Sequence, residues 1–367
     1  MKINMVDLKK QYASIKDEID AAIKDVVEST QFIMGRKVSD FESGCADYLG
    51  VKHAIACASG TDALQIAMMA LDIKPGDEII TTPFTFVATA ETIALLGAVP
   101  VYVDILNDAY TIDPAKIEAA ITAKTKAIIP VHLYGQAADM DPILEIAKKH
   151  KLYVIEDAAQ AFGTEYKGKK VGTLGTIGAT SFFPSKNLGA YGDAGMVFTQ
   201  DDQLAEKIRM IAAHGSKERY VHEMLGLNSR MDALQAAILG VKLKYIDKWN
   251  KARANNAHIY RENLKDANVI TPFNAEYSTH IYHQFSIRVK DRKGLQEFLS
   301  AKGIPTAVHY PIPLHQQPAF VDEARSFNLP VAETVAKEII SLPMYPELTA
   351  EEIEYIASAI TEFVGKK

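Results

Sequence analysis

Ser181-Phe182-Phe183-Pro184-Ser185-Lys186-Asn187-Leu188-Gly189 continues the apolar run Ala179–Phe182, and Glu156-Asp157-Ala158-Ala159-Gln160 closes an earlier run, Tyr153–Glu156. Each reads as a strand end followed by a turn of small residues. Outward from these two, further short apolar runs occur at His53–Cys57, Glu78–Thr81, Val99–Val103, Ala127–Val131 and Met196–Phe198. Helical spacing fills the gaps at Asp62–Leu71, Thr85–Leu96, Pro114–Ala120 and Asp141–His150. Strands alternating with helices predict an α/β fold, a mostly parallel seven-stranded sheet flanked by helices. Ligands of such sheets sit at the carboxyl ends of the strands. Asp157 and the Lys186 turn both fall at such ends.

Residues 12–30 carry Tyr12, Ile15, Ile19, Ile23, Val26 and Val27 at helical spacing. From Ser229 to Glu262 the pattern reads as one long helix bridging two domains. Beyond it, the reading is a strand at His283–Val289, a helix at Lys293–Lys302, a strand at Thr306–Tyr310, and helices at Val331–Ser341 and Ala350–Val364. The expected division is a large domain over residues 1–245 and a smaller α+β domain over 246–367. With 367 residues, 48% apolar and 23% charged, the chain has a globular composition with room for a large core. A net charge of −6 argues against nucleic acid or an anionic membrane as partner. No apolar run reaches membrane-spanning length, and Met1–Asp7 lacks the apolar core of a signal peptide. Cys45 and Cys57 have no metal-type spacing, so the expectation is a reduced, cytoplasmic protein without a metal.

Neither Lys186 nor Asp157 is diagnostic alone; a lysine after a strand is usually solvated, and an aspartate there usually caps a helix. Together they are what pyridoxal 5'-phosphate (PLP) asks of a protein: an amine to hold its aldehyde as a Schiff base, and a carboxylate for its ring nitrogen. Ser59-Gly60-Thr61-Asp62 opens a helix after the first strand and reads either as an ordinary capped turn or as a phosphate cradle. Phe84, in Thr82-Pro83-Phe84-Thr85-Phe86, reads either as core or as an aromatic stacked on a planar ring. Gln160 could reach a cofactor edge or cap a backbone group, and Ser181 could donate to a phosphate. Asn228 and Arg230, in Asn228-Ser229-Arg230-Met231-Asp232, read either as capping groups or as anion contacts. The Pro-bounded loop around His309 and Tyr310 could wall a substrate site, or its histidine could be structural.

These six motifs, with Gly192-Asp193-Ala194-Gly195 among the carriers, resemble the PLP-dependent nucleotide-sugar aminotransferases of the DegT/StrS type along essentially the whole chain. The resemblance implies fold-type I architecture, Lys186 on the PLP aldehyde and Asp157 on its ring nitrogen. It places Phe84 over the ring, and Ser59, Gly60, Thr61, Gln160 and Ser181 around the cofactor. It implies that Asn228 reaches the cofactor phosphate of a neighbouring subunit, hence a homodimer with sites at the subunit interface. Arg230, His309 and Tyr310 are expected near the nucleotide sugar. Lys186 favours amine transfer, since the dehydrating members of the family carry His there. The pattern is most similar to enzymes that move an amino group from L-glutamate to C3 of UDP-2-acetamido-2-deoxy-3-keto-glucuronate, for surface polysaccharide. The alternatives are a dTDP-3-keto-6-deoxyhexose 3-aminotransferase and a non-catalytic PLP-binding protein.

Overall fold

Seven strands form the main sheet: β1 (His53–Cys57), β2 (Glu78–Thr81), β3 (Val99–Tyr102), β4 (Thr125–Ile129), β5 (Tyr153–Asp157), β6 (Ile177–Ser181) and β7 (Gly195–Thr199). The computed structural model describes residues 3–321 and 327–365, so Met1 and Lys2 of the N-terminal stretch read above lie outside the described residues. The strand order is β1-β7-β6-β5-β4-β2-β3. β7 runs antiparallel to both its neighbours, and the other pairings are parallel. All seven expected strands are present, with ends shifted by up to two residues.

Period-two alternation sends successive side chains to opposite faces, and both faces are buried. Ile55, Ile79, Ile129, Ile155, Ile177 and Val197 meet the helices Gly60–Ala70, Ala88–Leu95 and Asp202–Ala212. On the other face, Ala54, Met196 and Phe198 pack under the helices Arg36–Leu49 and Ala233–Leu243. Ile80, Ile128 and Val154 pack there against Met140–His150. A second core gathers β8 (Phe285–Arg288) and β9 (Ile339–Leu342), which pair antiparallel, with the helices Ile246–Leu264, Arg292–Ala301 and Ala350–Val364. Ile3 joins that core from the other end of the chain. Among the described residues, no helix is long and apolar enough to cross a membrane.

Four expected elements differ. The long helix over 229–262 is two helices, Ala233–Leu243 and Ile246–Leu264. The N–H groups of Lys244 and Tyr245 bond back three residues, to Val241 and Lys242, which tightens the turn and ends the first ladder there. The helix expected over 331–341 stops at Glu338, because Ile339-Ile340-Ser341-Leu342 is taken into the two-stranded sheet. Thr306–Tyr310 is not a strand; only Ala307 pairs with Ser341, and Pro305, Pro311 and Pro313 punctuate the segment. The N-terminal helix breaks at Ile15 into Leu8–Ser14 and Lys16–Ser29.

Phe182 ends the β6 run, fully buried, with its ring 5.4 Å from Phe41 and 5.5 Å from Phe162, both edge-on. Phe182→Ala is expected to lower the unfolding free energy by about 3–5 kcal/mol in a denaturant titration. A loss under about 1 kcal/mol would contradict the packing described.

Candidate active site

The carboxyl ends of β5 and β6 and the start of the helix Gly60–Ala70 surround a cleft of about 480 Å³. Asp157 stands on its floor. Its Oδ2 accepts the Thr89 hydroxyl at 2.8 Å and its Oδ1 accepts the Ala159 N–H at 3.1 Å. Burial pushes its carboxyl above the ordinary carboxylate range, while the Thr89 hydroxyl, the Ala159 amide and the nearby Lys186 pull it back.

Lys186 lines the same cleft. Its backbone N–H closes a turn on the Phe183 carbonyl at 2.8 Å. Burial lowers its amine to about 8, with the Asp157 charge opposing the shift. The segment after it is clamped from below. Asn187 donates to Asn250 at 2.7 Å and to the Ile281 carbonyl at 3.2 Å, and the buried Lys242 donates to the Gly189 carbonyl at 2.6 Å.

At the opposite end, Ser59 caps the helix, its hydroxyl accepting the Asp62 N–H at 3.1 Å. Gly60 and Ser181 approach so closely that a Cβ on Gly60 would stand 2.4 Å from the Ser181 Cβ. The helix N-terminus, Thr61 and the Ser181 hydroxyl thereby share one concave corner suited to an anion. Gln160 is braced at both ends of its amide, accepting the Tyr134 N–H and donating to the Tyr310 hydroxyl, each at 2.9 Å. His309 Nδ1 lies 2.9 Å from the Ser341 hydroxyl, and the Tyr134 hydroxyl bonds the His309 carbonyl. Burial, with Lys186 adding to it, lowers His309 to about 4 and keeps its imidazole neutral.

The cleft thus gathers Ser59, Gly60, Thr61, Asp157, Gln160, Ser181, Lys186, His309 and Tyr310. It does not gather Phe84. That ring is fully buried, edge-on to Tyr110 at 6.4 Å and Tyr310 at 6.2 Å. Of the two phenylalanines in that turn it is Phe86, 55% exposed, that lines the cleft, beside Phe183 and Tyr310. The chain bends after β2, where the Thr82 hydroxyl accepts the Phe84 N–H at 3.1 Å; this turns Phe84 into the core and Phe86 out. The expectation that Phe84 is placed to stack on a cofactor is corrected: it is buried away from the cleft, and Phe86 stands on the wall instead. Nor do Asn228 and Arg230 line the cleft. Asn228 is exposed, and Ser229 between them is held by the Ala58 N–H at 3.1 Å and by Asp62 at 2.6 Å. Thr85, Thr89, His283 and Gln284 also line the cleft without having been singled out from the sequence. Thr89 and Asp157 are 68 residues apart; the only local signal was the Thr85/Thr89 pair at one-turn spacing.

Residues 13–361 match the DegT/DnrJ/EryC1/StrS aminotransferase family. The chain is 52% identical to a UDP-2-acetamido-2-deoxy-3-oxo-D-glucuronate aminotransferase of Pseudomonas aeruginosa, over 98% of this chain and 99% of the relative. It is also 52% identical to a protein of Geobacillus stearothermophilus named a pleiotropic regulatory protein, over 99% of each chain. Among solved structures, S. venezuelae DesV in complex with a ketimine intermediate has a TM-score of 0.97 at 40% identity, covering 100% of this chain and 99% of that one.

A lysine near pKa 8 carries far more free amine at neutral pH than one at 10.5. With its amine unoccupied, Lys186 is therefore expected to react with an amine-directed reagent at pH 7 at least about tenfold faster than the surface lysines, its rate rising through pH 8. Peptide mass spectrometry reads the rates; a Lys186 rate equal to that of the surface lysines would contradict the shift.

Proposed function

The chain belongs to the DegT/DnrJ/EryC1/StrS aminotransferase family, and on that premise we propose that it transfers an amino group from L-glutamate to the C3 keto group of a nucleotide-linked sugar. It is a PLP-dependent aminotransferase. The sugar we propose is of the UDP-2-acetamido-2-deoxy-3-keto-glucuronate kind, and the product serves surface polysaccharide synthesis. The full-length likeness to the Pseudomonas enzyme supports that choice.

One observation carries the site assignment: a buried carboxylate and a lysine of lowered basicity share one cleft with a helix N-terminus. This donor set fits PLP end for end. Lys186 would hold the aldehyde, Asp157 the ring nitrogen, Phe86 a ring face, and Ser59, Gly60, Thr61 and Ser181 the phosphate, with Gln160 at the cofactor's edge. The close approach of Gly60 to Ser181 is the cradle a side chain would fill. When bound, PLP supplies an aldehyde that takes up the amino group and a ring that draws off electrons. The protein's part is acid–base and positional. Asp157 presents a charge opposite to a protonated ring nitrogen. Lys186, once free, accepts a proton and returns it. His309 and Tyr310, with their braced partners Ser341 and Gln160, form the wall the sugar would meet.

Asn228 and Arg230 enter the proposal through a second copy of the chain. Both lie outside their own cleft, and among the described residues no arginine lines it. We place them at the partner's phosphate and sugar, in a homodimer whose sites lie at the interface. The two cysteines are free and buried, in keeping with a cytoplasmic enzyme. The proposed domain boundary at 245/246 falls on the turn between the helices Ala233–Leu243 and Ile246–Leu264.

The holoenzyme is expected to absorb visible light, to lose that band on addition of L-glutamate, and to aminate the UDP-3-keto sugar in a small panel of 3-keto and 4-keto nucleotide sugars read by mass. Preference for a dTDP-linked 6-deoxy sugar would replace the substrate. Turnover of none would favour the non-catalytic alternative. Lys186→Ala should lose at least about 100-fold in turnover; full activity in that variant would end the proposal.

A further inference from the structure

The Thr89 hydroxyl spends its single proton on Asp157 Oδ2, at 2.8 Å. The Thr85 hydroxyl lies 3.1 Å from the Thr89 oxygen, so in that contact Thr85 is the donor. The direction of the chain is thereby fixed: Thr85 to Thr89 to Asp157. Both threonines are buried, at 2% and 1% exposure, and both line the cleft. With the Ala159 N–H on Oδ1, each carboxylate oxygen of Asp157 has an anchor, which sets the plane of the group. Donors aimed at a buried carboxylate favour its ionised form.

We propose that Thr89, backed by Thr85, is a positioning residue of the transamination: it fixes the plane of the Asp157 carboxylate and holds that group ionised toward the nitrogen end of the cofactor ring. The inference rests on the reading in which Asp157 faces that nitrogen. The other titratable groups acting around Asp157 are Lys186, which also favours its charge, and Tyr310, whose proton the Asp157 charge helps retain; His132 is neutral, its Nδ1 accepting the Ala138 N–H.

The test uses the holoenzyme with Thr89→Val, which keeps the shape and deletes the donor, together with Thr89→Ser and Thr85→Val. A hydrogen bond to a charged group has a weight that predicts a fall in kcat of about ten- to a hundredfold for Thr89→Val. The KM for glutamate should change little, and the visible band should titrate at a pH where the wild type is flat. Thr89→Ser should restore kcat to within about threefold, and Thr85→Val should move both readouts the same way by less. Thr89→Val with wild-type melting, band titration and kcat overturns the inference. So does a Thr89→Ser variant as defective as Thr89→Val, because that marks methyl packing rather than donation. If Thr89→Val does not fold, Thr85→Val with a wild-type band titration overturns it instead. A wild-type band that does not respond to glutamate fails the reading of Asp157; a responsive wild type whose Thr89→Val variant matches it in kcat and band titration fails only this inference.

Discussion

Everything in the cleft follows from taking one carboxylate and one amine out of water at the ends of neighbouring strand segments. Removal from solvent disfavours the charged form of each, so it raises Asp157 and lowers Lys186. Their opposite charges resist both shifts. The balance leaves a carboxylate whose ionised form its hydroxyl and amide donors favour against burial, and an amine with an appreciable neutral fraction close to physiological pH. A surface pair would show neither property, because water would screen it.

The scaffold holds these groups by rigid means. Glu156 and Asp157 are successive residues of β5 and point to opposite faces of the sheet. Asp157 looks into the cleft, while Glu156 is pinned behind it by the N–H groups of Gly172, Leu174 and Gly175 at 2.6–2.7 Å and by His132 at 2.9 Å. His132 Nδ1 accepts the Ala138 N–H, so Nε2 carries the proton that Glu156 accepts. On the other side, β7 runs antiparallel between β1 and β6 and sets Gly195 opposite both Cys57 and Ser181. A Cβ at Gly195 would stand 2.2 Å from the Ser59 carbonyl, so only glycine lets the helix cap and the β6 end close on one corner.

Much of this was legible in the sequence because the signals are local. Apolar runs of three to five residues separated by helical spacing give the seven strands, and an aspartate and a lysine at strand ends give the two ends of the cleft. What was not legible depends on direction in space. Phe84 and Phe86 are equally aromatic, and a bend fixed by the Thr82 hydroxyl decides which faces the cleft. Thr89 gains its role from a contact across 68 residues, which no periodicity reports. Ile339–Leu342 continues a helical pattern until Phe285–Arg288 offers it a strand partner. In the last two cases a tertiary contact decides what local preference does not.

The central claim is that Lys186 is the amine that holds the cofactor's aldehyde. Borohydride reduction of the holoenzyme, followed by peptide mapping, tests it most directly, because reduction makes the link permanent before the protein is unfolded. A pyridoxyl phosphate adduct on the peptide bearing Lys186, and on no other lysine, is the result this account predicts. An adduct on another lysine, or no adduct in protein that carries the cofactor, would contradict it.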